Sequence, residues 1–178
     1  MPITEMRFGK RTMAWDGRRL GPAKVSAFMP QGKREIFELR TRAGLRIRAT
    51  ANHPFRMLDR WVSLRDLRSG DRIAIAREIP VFGKSPIPDW EATLLGLMIS
   101  EGAADKLVPQ IIFTAPEPSV RLFLQALLSG DGGVHHSDKG VFVEYCSNSR
   151  RLIEDVHHLL LRFGIFSLIR EKTTAIET

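Results

Sequence analysis

Two nine-residue stretches of this chain spell nearly the same pattern. Leu94-Leu95-Gly96-Leu97-Met98-Ile99-Ser100-Glu101-Gly102 recurs as Leu124-Gln125-Ala126-Leu127-Leu128-Ser129-Gly130-Asp131-Gly132. Each is an apolar run of helical character with a small residue third and an acid followed by glycine at its end. A carboxylate there faces the negative end of the helix dipole and is disfavoured unless a cation compensates it. Two copies of one element, paired, would therefore hold Glu101 and Asp131 around a metal, an enzyme's constellation. One copy alone is equally an ordinary core helix closed by a polar residue and a C-cap glycine; two in register are not. A lone histidine in a β segment, such as His53, is more often structural. His135-His136 and His157-His158 lack ligand spacing from another cluster. The single cysteine, Cys146, excludes an internal disulfide and a cysteine zinc site.

The elements that must position these residues divide the chain into two halves. Arg34 to Thr41 alternates, with Phe37, Leu39 and Thr41 on one face, and Leu45 to Ala49 alternates again. Gly44 between them supplies the positive φ of a hairpin loop, and the charged outward positions imply an antiparallel sheet with one wet face. Ser63-Leu64-Arg65-Asp66 has capping-box spacing and predicts a helical turn. A further strand is expected over Arg72–Ala76. From Pro80 to Pro88 the composition shifts to Pro, Gly, Lys and Ser, a linker pattern. Beyond it the period is helical. Asp89 is an N-cap candidate for the first repeated helix, Ser119 after Pro118 for the second, Val120 to Gly130, and Ser149 for a third, Arg150 to Phe163, closed by Gly164. Strands are expected at Val141–Cys146 and Phe166–Glu171.

Composition sets the class. The chain has 178 residues, 43% of them hydrophobic and 26% charged, as in a globular protein of one or two domains. A formal net charge of +7 favours polyanionic partners. No apolar run approaches the ~20 residues needed to span a membrane, and no signal core is evident. The reading is cytoplasmic with no membrane partner.

Residues 23–77 resemble the Hint (hedgehog/intein) splicing domain, most nearly that of inteins in replicative DNA helicases. The matching pieces are Gly32-Lys33-Arg34, the block Thr50-Ala51-Asn52-His53-Pro54, and Trp61-Val62-Ser63-Leu64 followed by Leu67-Arg68-Ser69-Gly70-Asp71. The resemblance implies that His53 protonates a departing amide nitrogen during an acyl shift while Thr50 and Asn52 orient the peptide. It also implies a nucleophilic first residue and a closing His-Asn. Neither is visible at Met1-Pro2-Ile3 or at Ala175-Ile176-Glu177-Thr178, so this chain by itself is expected not to splice in cis.

The paired helices resemble the LAGLIDADG (dodecapeptide) homing endonucleases that sit inside inteins. That resemblance makes Gly96 and Ala126 the helix-packing residues and Glu101 and Asp131 the catalytic acids and metal ligands. It implies Mg²⁺ as cofactor, which suits two carboxylates with retained waters, and double-stranded DNA as substrate. Val143–Leu152 and Leu159–Ile165 resemble later parts of the second repeat, and Val108–Phe113 its approach. Lys139, Arg150, Arg170 and Lys172 are the implied phosphate contacts. A full repeat is αββαββα, and the first needs roughly 40 to 45 residues after its motif helix. Only 17 lie between Glu101 and Ser119, so its strands are expected to be missing, removed near Ala104-Asp105-Lys106.

The expected fold is α+β: an all-β Hint-like domain over residues 1–79, a linker at 80–88, and an α/β LAGLIDADG-like domain of incomplete repeats over 89–178. The expected protein is a truncated intein, ancestrally capable of splicing and Mg²⁺-dependent phosphodiester hydrolysis and inactive in this form. The alternatives are a non-catalytic DNA-binding module on the same scaffold, or one piece of a longer or split helicase intein with complementary fragments and a flanking host protein as partners.

Overall fold

The computed structural model describes residues 9–102, 106–138 and 140–172. They form two units, one of residues up to 41 together with 46–76, the other of 42–45 and 77 onward. The architecture is α+β, with every sheet two-stranded and antiparallel.

The first unit holds three hairpins: β1 (Arg11–Trp15) with β2 (Leu20–Lys24), β3 (Phe37–Arg40) with β4 (Arg46–Ala49), and β5 (Pro54–Arg56) with β6 (Trp61–Ser63). The β3–β4 hairpin follows its alternation, pairing Leu39 with Ile47 and Phe37 with Ala49. Leu39, Ile47 and Ala49 are partly buried, whereas Phe37 at the strand's open start remains 43% exposed. A 3-10 turn at Leu64–Asp66 lies where the capping-box spacing put a helical turn, although the Ser63 hydroxyl makes no cap bond. The strand expected at Arg72–Ala76 does not form. It has no ladder partner, and a single bond from Ala74 N to Arg56 O (2.7 Å) ties it down.

The second unit contains the helices α1 (Asp89–Ser100), α2 (Gln110–Thr114), α3 (Glu117–Asp131) and α4 (Arg150–Arg162), with β7 (Gly132–Ser137) and β8 (Gly140–Tyr145) between α3 and α4. Its core joins Ile99, Ile112, Val120, Phe123, Leu127, Leu152, Val156 and Leu159. α4 starts as its cap residue dictates, with Ser149 Oγ accepting from Leu152 N. It ends at Gly164, whose φ of 72° suits the C′ position. α3 begins at Glu117, not after Pro118, because proline in the first helical turn lacks only an N–H that has no partner there. α1 likewise takes Pro88 as its cap and Asp89 as its first residue.

Residues 80–88, with a linker's composition, lie extended along this unit. Gly83 N and Ser85 N bond to Ala115 O and Thr114 O (both 2.9 Å), Ile87 is buried, and Phe82 stacks edge-on to Phe163 at 5.2 Å. The terminal strand expected at Phe166–Glu171 is also absent. Ile169 instead makes one bond, to Ala43 O (2.9 Å), and buries its side chain. Among the described residues no helix is long and apolar enough to cross a membrane.

Candidate active site

The two repeated motifs meet. α1 and α3 pack against each other, and Gly96 is a point of close approach. A Cβ added there would sit 2.5 Å from Phe123 O and 2.8 Å from Ala126 Cβ. One turn on, a Cβ at Gly130 would collide with the Ser100 side chain. Small residues thus recur at i and i+4 on both helices, Gly96 and Ser100 against Ala126 and Gly130, the spacing that puts them on one face. Ser100 satisfies its own hydroxyl by donating to Leu97 O (2.7 Å), so it can be buried there.

With residues 100 and 130 in register, Glu101 and Asp131 follow one residue later on their own helices. Glu101 is the C-cap of α1, its N–H bonded to Leu97 O at 3.0 Å. Asp131 is the last residue of α3. Both are exposed, and neither helix carries a basic residue in its last turn. No group of three or more His, Cys, Asp or Glu side chains gathers among the described residues. Two exposed carboxylates therefore stand at these helix ends, a donor type that would suit Mg²⁺, which keeps several waters and takes further ligands from phosphate oxygens.

The motifs then diverge. Asp131 leads directly into β7 through an extended Gly132, and β7 pairs with β8 from Gly132–Tyr145 to Ser137–Gly140. Glu101 leads into Gly102 at φ 98° and on to α2, with no strand among the described residues. The connection is closed against α4 instead: Ser149 Oγ donates to Lys106 O (2.6 Å), and Val108 is buried. The expected excision point, Ala104-Asp105-Lys106, lies outside the described residues except for Lys106.

Sequence inspection missed β7, because Gly132-Gly133-Val134-His135-His136-Ser137 shows no alternation. It missed Tyr145 as well. This residue pairs opposite Gly132, and burial together with the Asp131 charge pushes its phenol up to about 12. The phenol is protonated at neutral pH and is a donor beside the second acid. A tyrosine at a strand end was legible; its position across from the motif's glycine needed the ladder.

Of the four implied phosphate contacts, two are engaged. Arg150 donates to Glu154 (2.7 Å), Glu171 (2.6 Å) and Gly44 O (2.8 Å). Lys172 pairs with Glu144, which also faces His135 at 3.3 Å. Arg170 is exposed, and Lys139 lies outside the described residues.

In the first unit Thr50 to His53 forms a tight turn, His53 N bonding to Thr50 O at 3.0 Å. The 3-10 turn clamps it from below, through Leu64 N to His53 O and Arg65 N to Ala51 O (both 2.9 Å). Thr50 and Asn52 line a cavity of about 540 Å³ together with Arg34, Glu35, Phe37 and Arg65. His53 is exposed outside that lining, its ring edge-on to Phe55 at 5.4 Å.

Comparison with known proteins finds a family match over the second motif. Residues 118–177 match the family model of the LAGLIDADG-like domain. The chain is 34% identical over 109 residues to the DNA gyrase A protein of Mycobacterium gordonae, covering 61% of this chain and 19% of that one. It is 34% identical over 106 residues to the replicative DNA helicase DnaB of Rhodothermus marinus, covering 57% and 11%. With the DNA gyrase A protein of Mycolicibacterium flavescens it is 25% identical over 225 residues, 82% of this chain and 41% of the relative. That alignment is longer than the 178-residue chain, so the relative carries segments within it that are missing here. The chain spans well under half the length of each of these relatives.

Proposed function

We propose that this chain, which carries a LAGLIDADG-like domain at residues 118–177 and resembles an intein with a homing endonuclease domain, is an intein remnant whose endonuclease part has lost its first strand layer. The observation that carries the reading is the α1–α3 crossing. Two acids follow its small residues at one end, and among the described residues β strands follow only the second of them. In this reading residues 1–79 descend from a splicing domain and residues 89–178 from a site-specific double-strand endonuclease.

The comparisons support an inserted element. Stretches of this one chain recur in a gyrase and in a helicase, covering a minor part of each. Such a pattern fits a segment carried within unrelated hosts better than a shared host function.

Glu101 and Asp131 would hold Mg²⁺, which when bound supplies an activated water and a counter-charge for the leaving oxygen. The protein's share is placement. The Gly96–Ala126 contact sets the separation of the helix ends, and Tyr145, held protonated, offers a hydrogen-bond donor near Asp131. β7–β8 is half of the DNA-cradling surface that two repeats would build. With strands on one side only, a duplex is poorly fixed against the acids, and misplacement by ~1 Å costs on the order of 100-fold in rate. In the first unit Thr50 and Asn52 would orient a peptide at the cavity they line, with His53 as proton donor.

A magnesium-dependent cleavage assay on a duplex spanning a gyrase or helicase insertion site tests this. Cutting should be absent or barely above background. Robust cutting that Glu101→Ala abolishes would show the truncated scaffold to be a working enzyme.

A further inference from the structure

The charge of this chain is not where a LAGLIDADG-type DNA binder would need it. The second unit, with the paired acids, holds 11 Lys and Arg against 13 Asp and Glu. The first unit holds 16 against 7. The whole positive balance of the chain therefore lies in the first unit, with its β hairpins.

Within that unit the β1–β2 ribbon carries an unfavourable arrangement. Arg11 faces Lys24 directly across the ladder, and like charges so placed repel. Both are exposed, and among the described residues no carboxylate pairs with either. Lys10 adjoins them. At the other end the turn presents Arg18 and Arg19 to solvent, the Arg19 guanidinium in a loose, exposed pair with Asp16 at 3.9 Å. Asp16 shapes it by accepting from Arg18 N and Arg19 N (both 2.8 Å), which holds its carboxyl below the usual range. The β3–β4 hairpin repeats the like-charge pairing, Arg40 opposite Arg46, but there Glu38 lies 2.7 Å from Arg40 and 3.4 Å from Arg48. The base of β1–β2 has no such internal counter-ion.

We propose that β1–β2 is a duplex-DNA-binding ribbon, with Arg11 and Lys24 at its base and Arg18 and Arg19 at its tip as phosphate contacts. Five residues of strand at ~3.4 Å each separate the two basic ends by roughly 17 Å. That reaches phosphates on both sides of a major groove ~12 Å wide, which admits a two-stranded ribbon. Trp15, 46% exposed beside the tip, adds an apolar surface for the groove wall. The contact is sequence-independent, because phosphates carry no base information. It rests on charge placement and not on endonuclease activity, so it stands whether or not Glu101 and Asp131 ever cut.

The test is fluorescence anisotropy of the full chain with a labelled 30-base-pair duplex, in EDTA, across a salt series. Each phosphate contact contributes about −0.9 to the slope of log Kobs against log salt. Arg11→Gln, Arg18→Gln, Arg19→Gln and Lys24→Gln together should flatten the slope by about three to four and weaken binding at least ~100-fold at low salt. Arg→Lys at the three arginines keeps the charge and should keep the slope, which separates lost contacts from lost folding. The proposal is overturned by any of three results: no duplex binding at low salt, a loss that follows Arg151→Gln and Arg170→Gln in the second unit instead, or tenfold tighter binding of an RNA duplex or polyglutamate.

Discussion

Gly96→Ala sets two effects of known sign against each other. In an ordinary helix interior the change stabilises by about 1 kcal/mol, through lower chain entropy and better helix propensity. Here the new methyl would stand 2.5 Å from Phe123 O and 2.8 Å from Ala126 Cβ, and 3.0 Å from Leu127 N. Two of those three atoms belong to α3 backbone and have no rotamer to escape into, so the helices must separate by roughly 1 Å. A gap of that size forfeits a quarter to a half of each dispersion contact along the crossing. Overpacking of this kind costs about 1–3 kcal/mol. The net expectation is destabilisation of up to about 2 kcal/mol, at roughly 4–8 °C in Tm per kcal/mol for a unit of this size. The assay is urea unfolding followed by far-UV circular dichroism, which reports on the second unit because the four α-helices among the described residues lie there. Adding Ala126→Gly removes one of the three contacts and should restore part of the loss. A stabilised Gly96→Ala protein would refute the close crossing itself, and with it the placement of Glu101 beside Asp131.

Other outcomes follow from the same structure. Glu101→Gln and Asp131→Asn each remove a carboxylate from an uncompensated helix C-terminus, so in EDTA each should stabilise by about 0.3–1 kcal/mol. Mg²⁺ should raise the Tm of the unaltered chain and not of the double variant, as thermal melts with and without the ion would show. Burial pushes the imidazoles of His157 and His158 below their ordinary range. The unfolded chain therefore binds protons more readily than the folded one. Stability should be constant above pH ~6.5 and fall as pH drops below it through the folded values. Urea midpoints at pH 7.5 and pH 5 check the direction, and His157→Gln with His158→Gln should flatten the difference.

The paired motifs, the helix spans and the β3–β4 hairpin were legible because local rules dominate there. Apolar periodicity, Ser149 as a cap and positive-φ glycines at 44 and 164 act within a few residues. The shortage of residues after Glu101 was legible too, and among the described residues no strand follows that acid before α2. β7 was not, because Gly132–Ser137 is a strand only by virtue of its pairing with β8. Nor were the absences at Arg72–Ala76 and Phe166–Glu171, where alternation was present but no neighbouring strand supplied the ladder. A strand pattern states which face could be buried; it cannot provide the partner.

The candidate site divides in the same way. Sequence by itself determined that two acids end two small-residue helices, since that is a matter of spacing along one chain. Only the tertiary structure decided that Tyr145 stands near Asp131 and that Arg150 and Lys172 are spent on Glu154, Glu171 and Glu144. Net charge likewise came from the sequence, but its concentration in the first unit depends on where the chain divides. Contact between distant residues is set by packing, and packing is decided by the whole core at once.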